Sequence, residues 1–420
     1  MEKLVIQGGR RLEGEIHTSG SKNSALPALA ACLLTDEPVI LHRIPRVRDI
    51  RTMEKLMAHT GVQLRMSPNG PHTIHAAVID KPEAPYDLVK TMRASSLVLG
   101  PLVARTGRAR VSAPGGCAIG ARPINLHVGA LEQLGAVIHQ EHGYIEAVAE
   151  NGLQGGAVHF DRVTVTGTED LLMAAVLAKG ETLIHNAARE PEVTDLADLL
   201  TKMGARIEGA GTSIIHVHGV DKLHGAEHEI IADRIEAGTF VIAGVITGGD
   251  IVVKDCVPEH IGALLVKIRA AGADVSEPAP DQLRIRAGRK LKPVDMTTEE
   301  YPGFATDLQA QYMALMTQAD GVSFITETIF ENRFMHVLEL ARMGANIRIE
   351  GRQAIVTGGE PLTGAQVIAS DLRASASLIL AGLIANGETV VDRVYHLDRG
   401  YENIEKKLEK VGAKIQRMED

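Results

Sequence analysis

"LTKMGARI" occupies residues 200–207, and how it is read decides the fold. An apolar residue is followed three places on by a second, then by Gly204, then by a strand-like ending. Such a run marks a helix end, a glycine in the left-handed C′ position, and a strand that leaves at once. The same pattern returns as MAHTGVQL (57–64), LEQLGAVI (131–138), IRAAGADV (268–275), LARMGANI (340–347) and LEKVGAKI (408–415). The glycines at 61, 135, 204, 272, 344 and 412 are 74, 69, 68, 72 and 68 residues apart. A period of about 70 residues exceeds that of ordinary solenoids, so each unit is expected to be a sizeable α/β piece.

Two copies show what the rest of the unit contains. Residues 170–204 and 374–412 each run through an Ala-rich apolar helix, a "GET" turn, a β-branched strand, a loop, and a charged amphipathic helix that ends at the glycine. The first helix is apolar nearly all round and is expected to be buried; the second is expected to face solvent more. Six such units in two groups of three predict two similar α/β domains. A chain of 420 residues is also too long for one ordinary core.

Composition narrows the possibilities. The net charge of −9 argues against general nucleic-acid or anionic-membrane binding. The three cysteines, Cys32, Cys117 and Cys256, are odd in number and far apart, so no disulfide framework is expected. No apolar run approaches the ~20 residues of a membrane span, and the N-terminus lacks a signal-peptide pattern. The expected location is the cytoplasm. Cys32 and Cys256 read as small core hydrophobes.

Cys117 is different. Stacking the units makes the loop after each central strand comparable, and the second copy, APGGCAIGARP (113–123), is several residues longer than the others. Insertions on a regular scaffold are where function is added. Gly115, Gly116 and Gly120 deny Cys117 apolar packing, and Arg122 would favour its thiolate.

The starts of the buried helices collect charge. Lys22, Arg93, Asp307, Asp371 and Arg373 lie at or within a first turn. Thr306 and Ser370 read as ordinary N-caps, and an acid such as Asp371 suits the helix dipole. Cations there are disfavoured unless an anion is present, so Lys22, Arg93 and Arg373 point to phosphate or carboxylate ligands. Arg122, Arg333 and Arg399, on the other loop set, could complete such a site. Walker-type and GxGxxG motifs are lacking. The HVH run at 216–218 has no HExxH or CxxC beside it and reads as a solvated or packed pair, not a metal site. The expectation is a two-domain enzyme for a highly anionic substrate, without metal or organic cofactor, whose acid–base candidates are Cys117, Asp307 and Asp371.

SGSKNSALP (19–27), YDLVKTMRAS (86–95), PGGCAIGARP (114–123), FATDLQAQ (304–311), ETIFENRFMH (327–336), DLRASASLIL (371–380) and HLDRGYE (396–402) resemble the enolpyruvyl transferase family. Within it they resemble the members that act on UDP-N-acetylglucosamine in peptidoglycan synthesis. The resemblance covers the whole chain. It implies a two-domain inverse α/β barrel of six βαβαββ units. One domain would be discontinuous (1–21 and 232–420), the other would be 22–231, and a mobile loop, 112–123, would carry Cys117. The implied substrates are phosphoenolpyruvate and UDP-N-acetylglucosamine, with phosphate released.

The resemblance also implies roles. Cys117 would donate a proton to phosphoenolpyruvate and be the target of fosfomycin. Lys22, Arg122 and Arg399 would hold phosphoenolpyruvate, and Asp307 would take the sugar hydroxyl proton. Asn23, Asp371 and Arg373 would support them, and Arg333 would help to bind substrate. Arg93, the segment Arg122, Pro123, Ile124, Asn125 and Leu126, the segment Arg162, Val163, Thr164 and Val165, and Ile329 would contact the nucleotide sugar. Three departures bear on those contacts: Leu97 stands where some members carry Trp, Asn125 where Asp is common, and Arg162 where Lys occurs. The runner-up is the related enzyme acting on shikimate 3-phosphate; the cysteine loop and RPINL (122–126) fit the nucleotide-sugar members better. A silent nucleotide-sugar sensor would not need the intact set Lys22, Cys117, Asp307 and Arg399. The chain is expected to be a monomer or weak homo-oligomer.

Overall fold

The computed structural model describes residues 2–67, 70–90, 92–113, 124–288 and 290–419, and for Arg93 the backbone alone. At each of the six repeats a helix ends two residues before the repeat glycine and a strand begins two residues after it, as in Pro191–Lys202, Gly204 and Arg206–Glu208. The six glycines have φ between +87° and +103°. At Gly272 an added Cβ would meet nothing within 4 Å, so the left-handed backbone, not lack of space, demands glycine there.

The buried helices of the units are α1 (Lys22–Ala31), α2 (Leu99–Thr106), α3 (Val165–Ala175), α4 (Arg234–Ile246), α5 (Gln309–Met316) and α6 (Leu372–Ile384). Every residue of α5 is buried, and every residue of α4 after Arg234. Such helices cannot face water on any side, which is why their sequences lack a polar stripe. The described residues form six four-stranded sheets with one recurring scheme: a parallel pair, then two antiparallel pairs. One of them consists of β1 (Ala157–His159), β2 (Glu181–His185), β3 (Arg206–Glu208) and β4 (Ile214–His218), in the spatial order β1–β2–β4–β3. Its strands alternate buried and outward residues, so one face packs on helix and the other meets solvent. Helices inside and sheets outside make this an inverse α/β barrel.

The chain divides into two compact units. One contains residues 2–19 and 232–419, the other 20–113 and 124–231. Strand pairing explains why the first unit is discontinuous. Residues 3–7 lie between strands 388–392 and 414–418, and residues 13–17 pair in parallel with 250–254. In the other unit, Glu227–Glu229 returns to pair with Val39–His42. The first break falls after Ser19, slightly before the change at residue 22 that the resemblance implies. Ser19 is tied into its unit by Glu236 and Lys407, whereas the Ser21 N–H donates to the Ile231 carbonyl in the other. The three buried helices of the first unit, α4, α5 and α6, pack on one another. In the second unit α3 packs on both α1 and α2.

Candidate active site

The first unit gathers charge around Asp307, in the single turn Thr306–Leu308 that leads into α5. The Arg373 Nε and Nη2 donate to its Oδ2 at 3.1 and 2.8 Å, and the Arg333 Nη2 donates to Oδ1 at 2.6 Å. Both guanidinium groups are nearly sealed from water, with 5% and 6% of their side chains exposed, whereas 28% of Asp307 is exposed. Burial alone would raise the pKa of Asp307, but Arg373 and Arg333 overcome it and hold the carboxyl well below its ordinary range. Forked guanidinium groups suit this work because each can reach a carboxylate with two donors.

Around this core lies a shell of fixed polar groups. The Thr306 hydroxyl accepts from Arg333 and donates to Glu327. Glu327, itself buried, also accepts from Thr298 and from the N–H groups of Ile329 and Phe330, so it ties the 327–330 loop to the Asp307 turn. Gln311 donates to the Asp307 carbonyl and to the Tyr401 hydroxyl. Arg373 lies over the Tyr401 ring. Asp371 caps α6, its Oδ1 accepting from the N–H groups of Arg373 and Ala374 at 2.9 and 3.0 Å. His336 is buried; burial pushes its pKa down to about 4, so its ring is neutral near Asp371 and Arg333. Arg399 ends the turn Val394–Arg399 and is half-buried.

In the second unit, Lys22 opens α1 behind the Ser21 cap, and its Nζ donates to Asp49 at 3.1 Å. Asn23 follows it, half-buried. Ser24 donates to Asp195, which also pairs with His228, fixing the first turn of α1 in a buried network. Arg93 begins the 3-10 turn Arg93–Val98, in which Leu97 is buried. Ile124 packs with Val128 and Ile145, Asn125 is exposed, and Leu126 leans on the main core. Arg162 is exposed, and Thr164 caps α3 by accepting from the Gly167 N–H at 3.2 Å. Val163 and Val165 pack against the core. Cys117, Arg122 and Pro123 lie outside the described residues.

Lys22 and Arg373, two of the cations at the starts of buried helices, each face a carboxylate of the chain itself, Asp49 and Asp307. One expectation is corrected by this geometry. Neither Thr306 nor Ser370 is an N-cap: Thr306 is a link of the Asp307 cluster, and Asp371 performs the capping of α6. The other two cysteines are buried as expected, and burial pushes Cys256 up to about 11.

Residues 6–408 match the EPSP synthase (3-phosphoshikimate 1-carboxyvinyltransferase) family. The chain belongs to that family. It is 70% identical over 419 residues to a UDP-N-acetylglucosamine 1-carboxyvinyltransferase of Solibacter usitatus, with 100% of each chain covered. Proteins of the same description from Acidobacterium capsulatum and Koribacter versatilis are each 62% identical, covering all of this chain and 96% and 97% of theirs. In structure the chain is similar to the enolpyruvyl transferase NikO from Streptomyces tendae, with a TM-score of 0.89, 26% identity and 99% of both chains covered. EPSP synthase from Acinetobacter baumannii shares the fold, with a TM-score of 0.80 and 100% of both chains covered at 18% identity. Family membership agrees with the fold expected from the six glycines.

Sequence reasoning did not find Glu327, His336 or Asp49 in this EPSP synthase family member. Asp49 and His336 do stand at helix starts, in Arg48–His59 and His336–Arg342, but these are the second, amphipathic helices of their units, and only the starts of the buried helices drew attention. The ETIFENRFMH stretch does contain Glu327 and His336, but only their burial beside Arg333 and Asp371 marks them out.

Proposed function

We propose that the chain is a UDP-N-acetylglucosamine 1-carboxyvinyltransferase, moving the enolpyruvyl group of phosphoenolpyruvate to the sugar 3′-hydroxyl and releasing phosphate. This is the first committed step of peptidoglycan precursor synthesis, carried out in the cytoplasm by a monomer or weak homo-oligomer. One observation carries the proposal: 70% identity along the full chain to a protein of that description. The buried Arg333 and Arg373 beside Asp307 in one unit and the half-buried Lys22 in the other add to it, because two phosphorylated reactants call for several fixed cations.

The chemistry assigns each group a part. The Cys117 thiol protonates C3 of the enol, which makes C2 electrophilic. The sugar oxygen bonds to C2 and gives its proton to Asp307. The resulting tetrahedral ketal then loses a proton from C3 as the C2–O bond to phosphate breaks, and the enol is restored on the sugar. Lys22, Arg122 and Arg399 hold phosphoenolpyruvate, with Asn23, Asp371 and Arg373 in support. Arg93, residues 122–126, residues 162–165 and Ile329 contact the nucleotide sugar. Asp307, held at low pKa by two arginines, is a weak base. It orients the hydroxyl and passes the proton on instead of retaining it.

The test is phosphate release from phosphoenolpyruvate with UDP-N-acetylglucosamine or with shikimate 3-phosphate as acceptor. Turnover only with the nucleotide sugar, abolished by fosfomycin, is the expected result. Cys117→Ala should fold normally and lose at least ~10²-fold in turnover, while Cys117→Asp keeps activity and loses fosfomycin sensitivity. Turnover with shikimate 3-phosphate alone would overturn the assignment.

A further inference from the structure

The HVH run acquires a partner once the sheet forms. Glu181, His216 and His218 all project from the outward face of the β1–β2–β4–β3 sheet, because Ile215, Val217, Thr182 and Ile184 take the buried face. Register sets Glu181 opposite His218. The Glu181 carboxylate reaches both rings: its Oε2 is 3.2 Å from His216 Nε2, and its Oε1 is 3.2 Å from His218 Nδ1. The ring centroids are 4.3 Å apart. Among the described residues this is the one set of three such donors whose ligand atoms all lie within 4.8 Å of one another.

From this geometry we infer a surface site for a divalent transition metal of the Zn²⁺ class, ligated by His216, His218 and Glu181. Two imidazoles and a carboxylate are a donor set that Zn²⁺ accepts, leaving a fourth position for water. Bonds of about 2.0–2.1 Å in a tetrahedron put neighbouring ligand atoms about 3.4 Å apart, close to the 3.2 Å between the carboxylate and each ring, and small side-chain rotations within the 4.8 Å set would complete the geometry. Glu208 stands 4.0 Å from His218 Nε2, the ring nitrogen turned away from Glu181. At that distance the pair is not hydrogen-bonded, but a rotation of the exposed Glu208 side chain would let it accept from Nε2–H and leave Nδ1 to ligate. The opposing charge is Arg206, the register partner of His218 on β3. Bound metal would join β2 to β4 across the sheet. It plays no part in the enolpyruvyl transfer proposed above.

Full-length protein in a Cys117→Ala background, so that the loop thiol cannot compete, is stripped with chelator and titrated with Zn²⁺ by calorimetry. We expect one equivalent at micromolar affinity and a higher melting temperature with metal. His216→Ala and His218→Ala should each weaken binding by roughly 100-fold and cancel the melting shift. Glu208→Gln, which acts through His218, should cost about 10-fold. His159 and His185, 6.1 Å apart by ring centroid on the same sheet, provide the control. His159→Ala with His185→Ala should leave the titration unchanged. Metal-free melting curves of the variants establish that they fold. Binding that survives loss of both His216 and His218, or the absence of a micromolar site in the parent, would overturn the inference.

Discussion

Asp307 and Glu169 are both acids near the start of a buried helix, and they end in opposite charge states. Asp307 meets two sealed guanidinium groups and stays ionised. Glu169, in α3, is raised well above its ordinary pKa by burial and then by Glu192, Glu190 and Asp170, and its Oε1 has no hydrogen-bond partner among the described residues. Burial likewise raises its neighbour Asp170 to about 7, although the Gly100 N–H pulls the other way. Burial of a carboxyl therefore does not dictate its charge. The counter-charges delivered by other strands and helices do.

Replacing Asp307 should break the comparison most sharply. Asp307→Asn strips the anion from between Arg333 and Arg373, and phosphate release should fall by about 10³-fold, or about 4 kcal/mol. A rate within a few-fold of the parent would remove Asp307 from the chemistry. Next is Arg373→Met, which should cost about 3 kcal/mol in denaturant unfolding, because a buried ion pair loses one partner. It should also weaken the acid response of stability. The folded pKa of Asp307 lies below the unfolded value of 3.8, so its contribution is present above that pH and lost as pH falls.

Asp170 has the opposite sign. A folded pKa of about 7 against 3.8 unfolded means that stability is lost as pH rises through that window. Asp170→Asn keeps an acceptor for the Gly100 N–H and should be more stable than the parent at pH 8, with little change at pH 4. A stability difference that does not vary with pH would show that Asp170 is ionised in the fold. The smallest effect is reserved for Thr164→Ala at the cap of α3, about 1 kcal/mol and independent of pH. It separates helix stability from the titration of the acids farther along the same helix.

Much of the architecture was legible without coordinates. Six glycines at a common period name the helix ends, and each has a positive φ. An Ala-rich apolar run can be read as buried because nothing polar interrupts it. The Asp307 site was only half legible. Asp307, Arg373 and Arg333 are marked by their positions in loops and first turns, but nothing local shows that Arg373 pairs with an acid 66 residues away. Glu327 left no local mark, because a buried carboxylate looks like any surface acid until its donors are known, and Asp49 reads only as an ordinary first-turn acid of its helix.

The chain by itself determined the periodicity, the burial of the first helices and the small-residue loop around Cys117, all of which follow from local backbone preference and side-chain polarity. Tertiary structure alone decided which charge meets which: Lys22 with Asp49, Asp307 with two arginines, Glu181 with the two histidines of β4. The physical reason is reach. Local preference acts over a few residues, whereas a salt bridge or a cross-strand cluster depends on register and helix packing that bring distant positions within about 4 Å.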